Sequence, residues 1–167
     1  MEINKEGARV FVDMDGVLVD YASGFKGLEG TPKWEDKTIP GVFYHMKPKL
    51  GAIEAFNRLA SHYDTYVLST APWRNDSSWT DKLRWVKKYL GESAYKRLIL
   101  THNKALCMGE YLIDDRTTNG AGNFKGEHIH FGTEKFPNWE AVLEYLDVPN
   151  ENLLTGNEWA QRIKGVA

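Results

Sequence analysis

Short apolar runs recur along this chain, and each stops at polar residues. Arg9-Val-Phe-Val12 runs into Asp13 and Asp15, Asp64-Thr-Tyr-Val-Leu68 into Ser69-Thr70, and Tyr111-Leu-Ile113 into Asp114-Asp115, while Leu98-Ile-Leu100 comes shortly before Lys104. Runs of this length read as buried strands. The stretches between them carry helical spacing. Pro48 is expected to open a helix with Ile53, Phe56, Leu59 and Ala60 on one face, and Ser78 to cap another whose stripe is Leu83, Val86 and Leu90, closed by Gly91. Short turns follow near Ala94 and after Asn103. A fifth strand covers His128 to Phe131, and a terminal helix Asn138 to Leu146 turns Trp139, Val142, Leu143 and Leu146 inward. Strands alternating with helices predict an α/β fold, a parallel sheet with helices on both faces, because parallel neighbours need a crossover. Ligands of such sheets bind beyond the carboxyl ends of the strands. Asp13, Asp15, Ser69, Thr70, Lys104, Asp114 and Asp115 all fall at that edge, delivered by four separate segments.

Residues 20–47 break the pattern. They are rich in glycine and aromatic residues and lack a clear period, so they read as a small cap inserted after the first strand of a single domain spanning residues 1–167. A formal net charge of −2 excludes a generally basic nucleic-acid binder, so any affinity for phosphate is local. One cysteine, Cys107, forbids an internal disulfide and fits a reducing, cytoplasmic setting. No apolar run approaches the ~20 residues of a membrane span. Residues 150–167 are weakly patterned and stay unplaced.

Carboxylates converging on one spot repel unless a cation sits among them. Oxygen ligands without a cluster of histidine or cysteine favour Mg²⁺, which takes one or two carboxylates, waters and a substrate phosphate. A lysine and hydroxyls at the same edge add donors for phosphate oxygens, and together these groups describe a phosphoryl-transfer site. Asp13 and Asp15, two residues apart around a turn, can divide the work: one attacks phosphorus, the other gives and takes protons. Gly16 lets the chain turn sharply after them. Each part has a plainer reading. Asp-x-Asp-Gly is common in turns; as a calcium loop it fails, with Gly16 at the fourth place and Gly24 at the twelfth. Gly120 to Gly126 lacks the Gly-Lys-Ser/Thr of a phosphate loop and reads as a flexible connection. His128 and His130 share a face of one strand and read as packing, as does Cys107. Lys82, Arg84, Lys87 and Lys88 read as a solvated helix face.

Asp13-Met-Asp-Gly-Val17, Val67-Leu-Ser-Thr70, Lys104 and Leu112-Ile-Asp-Asp115 resemble, in order, the four motifs of the haloacid dehalogenase (HAD) superfamily. Met46-Lys-Pro-Lys-Leu-Gly-Ala52, Ser69-Thr-Ala-Pro72, Trp85-Val-Lys-Lys-Tyr89, Leu100-Thr-His-Asn-Lys104 and Leu112-Ile-Asp-Asp-Arg116 are similar to segments of the cytosolic-type 5′(3′)-deoxyribonucleotidases within it. The resemblance implies a Rossmann-like HAD core and a Mg²⁺-dependent phosphomonoesterase working through an aspartyl-phosphate. It implies Asp13 as nucleophile and Asp15 as general acid and base. Mg²⁺ would be held by the Asp13 and Asp114 carboxylates and the main-chain carbonyl of Asp15. Ser69, Thr70 and Lys104 would bind phosphate, with Asp115 behind them orienting water or Lys104. The substrate would be a small phosphorylated molecule, a nucleoside monophosphate before others. The insert is short for the family's cap; Tyr21, Phe25, Trp34, Phe43, Tyr44 and Trp73 are candidates to stack on a base, with Phe43, Tyr44 and Trp73 put forward as lid residues. Two other readings stay open: the same chemistry on a sugar phosphate, a nucleic-acid 3′-phosphate or a phosphoprotein, and a silent fold member that only binds a phosphorylated ligand. The oligomeric state is left open, a homodimer included.

Overall fold

A computed structural model describes residues 7–26, 36–149 and 161. Its elements are β1 (Arg9–Val12), β2 (Val19–Asp20), α1 (Val42–His45), β3 (Lys47–Pro48), α2 (Ala52–His62), β4 (Asp64–Ser69), α3 (Ser77–Tyr89), β5 (Leu98–Leu100), β6 (Tyr111–Asp114), β7 (Glu127–His130) and α4 (Trp139–Tyr145). Five strands form one sheet in the order β5-β4-β1-β6-β7, and every neighbouring pair is parallel. The chain steps from β1 outward to β4 and β5, then returns to the other side of β1 for β6 and β7. That reversal opens a crevice at the carboxyl end of β1, flanked by β4 and β6.

Side chains alternate across the pleat and so build two cores. Val10, Val12, Val67, Ile113 and Ile129 point into the larger one, closed by Phe56 and Leu59 of α2, Trp85 and Val86 of α3, and Val142 and Leu143 of α4. Phe11, Leu68 and Leu112 point the other way, toward Ala121 and Phe124. Among the described residues that second face carries the short 3₁₀ helices Lys104–Leu106 and Ala121–Asn123. Right-handed crossovers account for the division, since the connections after β1 and β4 fall on one face and those after β5 and β6 on the other.

Several local expectations are corrected. Pro48 does not open a helix: it lies in β3, paired antiparallel with β2 (Val19 opposite Pro48), and the helix starts at Ala52 after Gly51 turns with φ 74°. Ser78 does not cap α3; its hydroxyl donates to the Asn75 carbonyl at 2.6 Å, inside the first turn. The buried face of that helix is Ser78, Asp81, Lys82, Trp85 and Val86, with Leu83 exposed, so Lys82 belongs to the inside rather than to a solvated face. Finally, Gly120 to Gly126 is a packed segment. A Cβ at Gly126 would come within 2.3 Å of the Gly109 carbonyl, and one at Gly120, where φ is 81°, within 2.2 Å of Asn103 Oδ1.

The β2–β3 pair closes the neck of the insert. Its described part is pinned to α3. The Trp85 indole donates to the Met46 carbonyl at 2.8 Å, the Asn75 amide to the carbonyls of Lys37 and Ile39, and Ser77 Oγ accepts from the Gly41 N–H. Trp34 lies outside the described residues, as do residues 150–167 apart from Gln161. Among the described residues no helix is long and apolar enough to cross a membrane.

Candidate active site

Beyond β1 the chain reverses within a few residues. The Met14 carbonyl accepts from the N–H groups of Val17, Leu18 and Val19, and Gly16 sits at φ 80°. This tight turn holds Asp13 and Asp15 at the strand end. Gly16 is needed twice over: its φ strains any other residue, and a Cβ there would stand 2.3 Å from Asp115 Oδ2. Gly16→Ala is therefore expected to lose most activity and to melt about 2–8 °C lower, from roughly 1–2 kcal/mol of backbone strain plus displacement of Asp115. Turnover and a thermal melt check it; an unchanged melt with full activity would refute the role.

Lys104 links two of the strand ends. It is buried, and its Nζ lies 2.8 Å from Asp13 Oδ1 and 2.5 Å from Asp114 Oδ2. The loop carrying it is set by Asn103, whose side chain accepts from the Ala105 N–H, and by the Lys104 N–H donating to the Asn119 carbonyl at 2.7 Å. Burial works against the lysine's charge, but the Asp13 and Asp114 carboxylates outweigh it and hold its pKa above the usual value. Burial, and then the charge of Asp13, push the Asp114 carboxyl up to about 6 against the pull of Lys104 and the Arg116 N–H. Burial and Asp13 likewise raise Asp115. His128 and His130, stacked with ring centroids 5.2 Å apart, reach behind this loop. Their Nε2 atoms donate to the Asp114 and Asp115 carbonyls at 3.1 and 3.0 Å. They pack and brace, as their spacing implied.

Asp13, Asp114 and Asp115 each place a carboxylate oxygen within 4.8 Å of the others. Asp115 Oδ1 is buried and has no hydrogen-bond partner in another residue among the described ones. Carboxylates this close, two of them pushed toward the neutral form and one with an unmatched oxygen, fit a hard divalent cation.

Asp15 is held differently. Both of its carboxylate oxygens accept from Lys82 Nζ at 2.9 Å. The same ammonium donates to Ser69 Oγ at 3.0 Å and lies 4.7 Å from the centroid of the Phe43 ring. Lys82 is wholly buried, with 0% of its surface exposed, so three partners and a ring face replace its hydration. Hydropathy sorts lysines to the surface, which is why sequence reading passed over this one. A signal was present: Lys82 lies one helical turn from both Ser78 and Trp85–Val86, on the stripe that α3 buries.

These groups face a cavity of about 270 Å³ lined by Asp13, Asp15, Lys37, Thr70, Pro72, Trp73, His102, Lys104, Asp114, Arg116, Thr118 and Asn119. Of the residues expected at the site, Asp13, Asp15, Thr70, Lys104, Asp114 and Trp73 meet here. The Thr70 hydroxyl donates to the Thr101 carbonyl at 2.8 Å, tying the ends of β4 and β5. Ser69 does not line the cavity; it is fully buried beneath Asp15. Phe43 is buried against Lys82, and Tyr44 packs edge-on against His45; neither lines the cavity. A larger, more apolar groove of about 830 Å³ runs along α3 and the β5 edge, past Trp79, Leu83 and Leu98, and holds no comparable carboxylate cluster.

Residues 31–140, well over half of the chain, match the family described as 5′ nucleotidase, deoxy (pyrimidine), cytosolic type C protein. A Vibrio phage KVP40 protein named "Putative 5′(3′)-deoxyribonucleotidase" is 56% identical over 149 residues, covering 85% of this chain and 86% of the phage protein. The human cytosolic-type 5′(3′)-deoxyribonucleotidase is 29% identical, covering 81% of this chain and 78% of its own. The human mitochondrial 5′(3′)-deoxyribonucleotidase is also 29% identical, over 81% and 69% respectively. The parallel five-stranded sheet is consistent with a HAD-type core, and the chain belongs to the cytosolic type C family of 5′ nucleotidases.

Proposed function

We propose that this chain is a Mg²⁺-dependent 5′(3′)-deoxyribonucleotidase, releasing phosphate from nucleoside monophosphates. One observation carries the reading: Asp13, Asp15, Thr70, Lys104 and Asp114 line a single cavity, in a chain 56% identical to a protein named for that activity. Asp13 attacks phosphorus. The bond from phosphorus to the ester oxygen breaks, the phosphoryl group passes to the Asp13 carboxylate, and Asp15 gives a proton to the departing alkoxide. Asp15 then takes a proton from water as that water attacks the aspartyl-phosphate, which frees inorganic phosphate and restores Asp13. Lys104, already against Asp13, neutralises the charge gathered on the phosphate oxygens, and Thr70 lines the cavity at the β4 end. Ser69, expected to bind phosphate, is better matched to anchoring the Lys82 ammonium that holds Asp15.

The Asp13 and Asp114 carboxylates and the Asp15 carbonyl would hold Mg²⁺, with Asp115 beside them. When bound, the ion shields the phosphate's charge and orients its oxygens for in-line attack. The single cysteine supports a reducing, cytoplasmic setting.

The test is phosphate release from deoxynucleoside, nucleoside and sugar monophosphates and from a 3′-phosphorylated oligonucleotide, each with Mg²⁺ and with EDTA. Release from the nucleotides that is lost in EDTA is expected. Release confined to the sugar phosphates or the oligonucleotide would keep the mechanism and overturn the substrate. No release from any of them would overturn the enzyme reading.

A further inference from the structure

We infer that His128 and His130 are positioning residues for the divalent cation: their stacked rings carry the β6–β7 ladder past its end and fix the main chain beneath Asp114 and Asp115. The inference rests on the reading in which Asp13 and Asp114 hold Mg²⁺ with Asp115 beside them. The parallel register sets Leu112 beside His128 and Asp114 beside His130, and the Phe131 N–H then donates to the Asp114 carbonyl at 3.0 Å. Asp115 lies one residue beyond that rung. Side chains at 128 and 130 share a face of the strand, so both rings reach the same way. His128 Nε2 donates to the Asp114 carbonyl at 3.1 Å and His130 Nε2 to the Asp115 carbonyl at 3.0 Å. A carbonyl has no proton to give, so each Nε2 carries the hydrogen of its bond. The rings lie 5.2 Å apart and within 19° of parallel, and each limits the other's rotation. Thr133 Oγ1 donates to the His130 carbonyl at 2.8 Å and steadies that residue from behind.

The two carboxylates differ in what grips them directly. Asp114 is held at both oxygens, by Lys104 Nζ and by the Arg116 N–H. Asp115 is held loosely. Its Oδ1 is buried without a hydrogen-bond partner in another residue among the described ones, and its Oδ2 lies 3.8 Å from Nε of the largely exposed Arg116. A carboxylate gripped so little takes its direction from its own main chain, and His130 bonds that main chain at the Asp115 carbonyl. Groups that orient a metal's ligands from behind count in affinity, and losing one typically costs about 10–100-fold. Packing alone would be served by any ring, whereas positioning needs the donor at Nε2.

The experiment titrates Mg²⁺ into wild type, His130→Phe, His130→Gln and His128→Phe, by calorimetry and by the ion's shift of the melting temperature. Phenylalanine keeps a ring for the stack and removes the donor. Glutamine removes the ring and sets an amide N–H about where Nε2 stood. His130→Phe should bind Mg²⁺ about tenfold more weakly, and His130→Gln should stay within about threefold of wild type. His128→Phe should lose less than His130→Phe, because the Phe131 N–H still holds the Asp114 carbonyl. Phosphate release by His130→Phe should return to within about twofold of wild type at saturating Mg²⁺, as expected of a residue that acts through the cation. His130→Leu, apolar and without a donor, carries the same expectation and stands in if the phenylalanine does not fold. Unchanged Mg²⁺ affinity in the donorless variants would overturn the inference. Equal losses in His130→Phe and His130→Gln would overturn it too, leaving the rings as packing. Wild type that binds no Mg²⁺ would remove the cation reading itself, so the two fail separately.

Discussion

Asp13→Asn is expected to abolish phosphate release, by on the order of 10⁴-fold or more, because an amide can neither attack phosphorus nor match the charge of Lys104. Asp15→Asn should cost less, about 10²–10⁴-fold, the span that proton transfer by a placed side chain contributes. The two variants differ in more than size. With Asp15→Asn the phosphoryl group can still reach Asp13, above all from a substrate whose leaving group needs no proton, yet water is no longer deprotonated for the second step. Intact mass after mixing that variant with an aryl phosphate should show the protein heavier by one phosphoryl group, and Asp13→Asn should show none. The geometry makes the division definite. Asp13 shares its end of the cavity with Lys104 and the carboxylate cluster, while Asp15 is held apart by Lys82. Turnover of Asp13→Asn within tenfold of wild type would exclude covalent catalysis there.

The second large effect concerns Lys82. We expect Lys82→Met to lower kcat by about 10²-fold while KM for nucleotide changes less than threefold, since Lys82 positions Asp15 and does not line the cavity. Methionine can set its thioether against the Phe43 ring where the ammonium lay, so the core should stay packed. Without the ammonium, the Asp15 carboxylate loses the partner that holds both of its oxygens. Lys82→Arg should not restore the rate. The site is fully closed, and a planar guanidinium differs in shape from the compact ammonium that reaches Asp15 and Ser69 together. Kinetics on the three proteins settle the matter. A rise in KM with kcat intact would make Lys82 a phosphate ligand, and full activity would make it structural only.

Much of this site was legible before any coordinates. Asp13, Asp15, Thr70, Lys104 and Asp114 are found where short apolar runs end, and a parallel sheet sends every such end to one edge. Strand identity and the alternation with helices followed from local pattern, and the strands at Arg9–Val12 and Leu98–Leu100 match the structure. The errors came where local pattern had no purchase. Pro48 is as comfortable in a short edge pair as at a helix start, and its pairing with Val19 joins residues far apart in sequence. Gly120 to Gly126 read as flexible because glycine permits freedom, whereas here it permits closeness to Asn103 and Gly109.

The amino-acid sequence by itself determined the sheet, its chemical edge and the carboxylates and lysine that act there, because strand pattern and strand-end chemistry are local properties. Only the tertiary structure decided which way α3 turns and which aromatic rings stay open. Lys82 faces inward since the wall opposite α3 is polar, built of Asp15 and Ser69, and the Phe43 ring closes over the ammonium. Trp73 faces outward, its ring meeting His102, which in turn leans on Trp79, among the described residues. Both outcomes depend on what lies across a gap in space, and spacing along a chain carries no record of that.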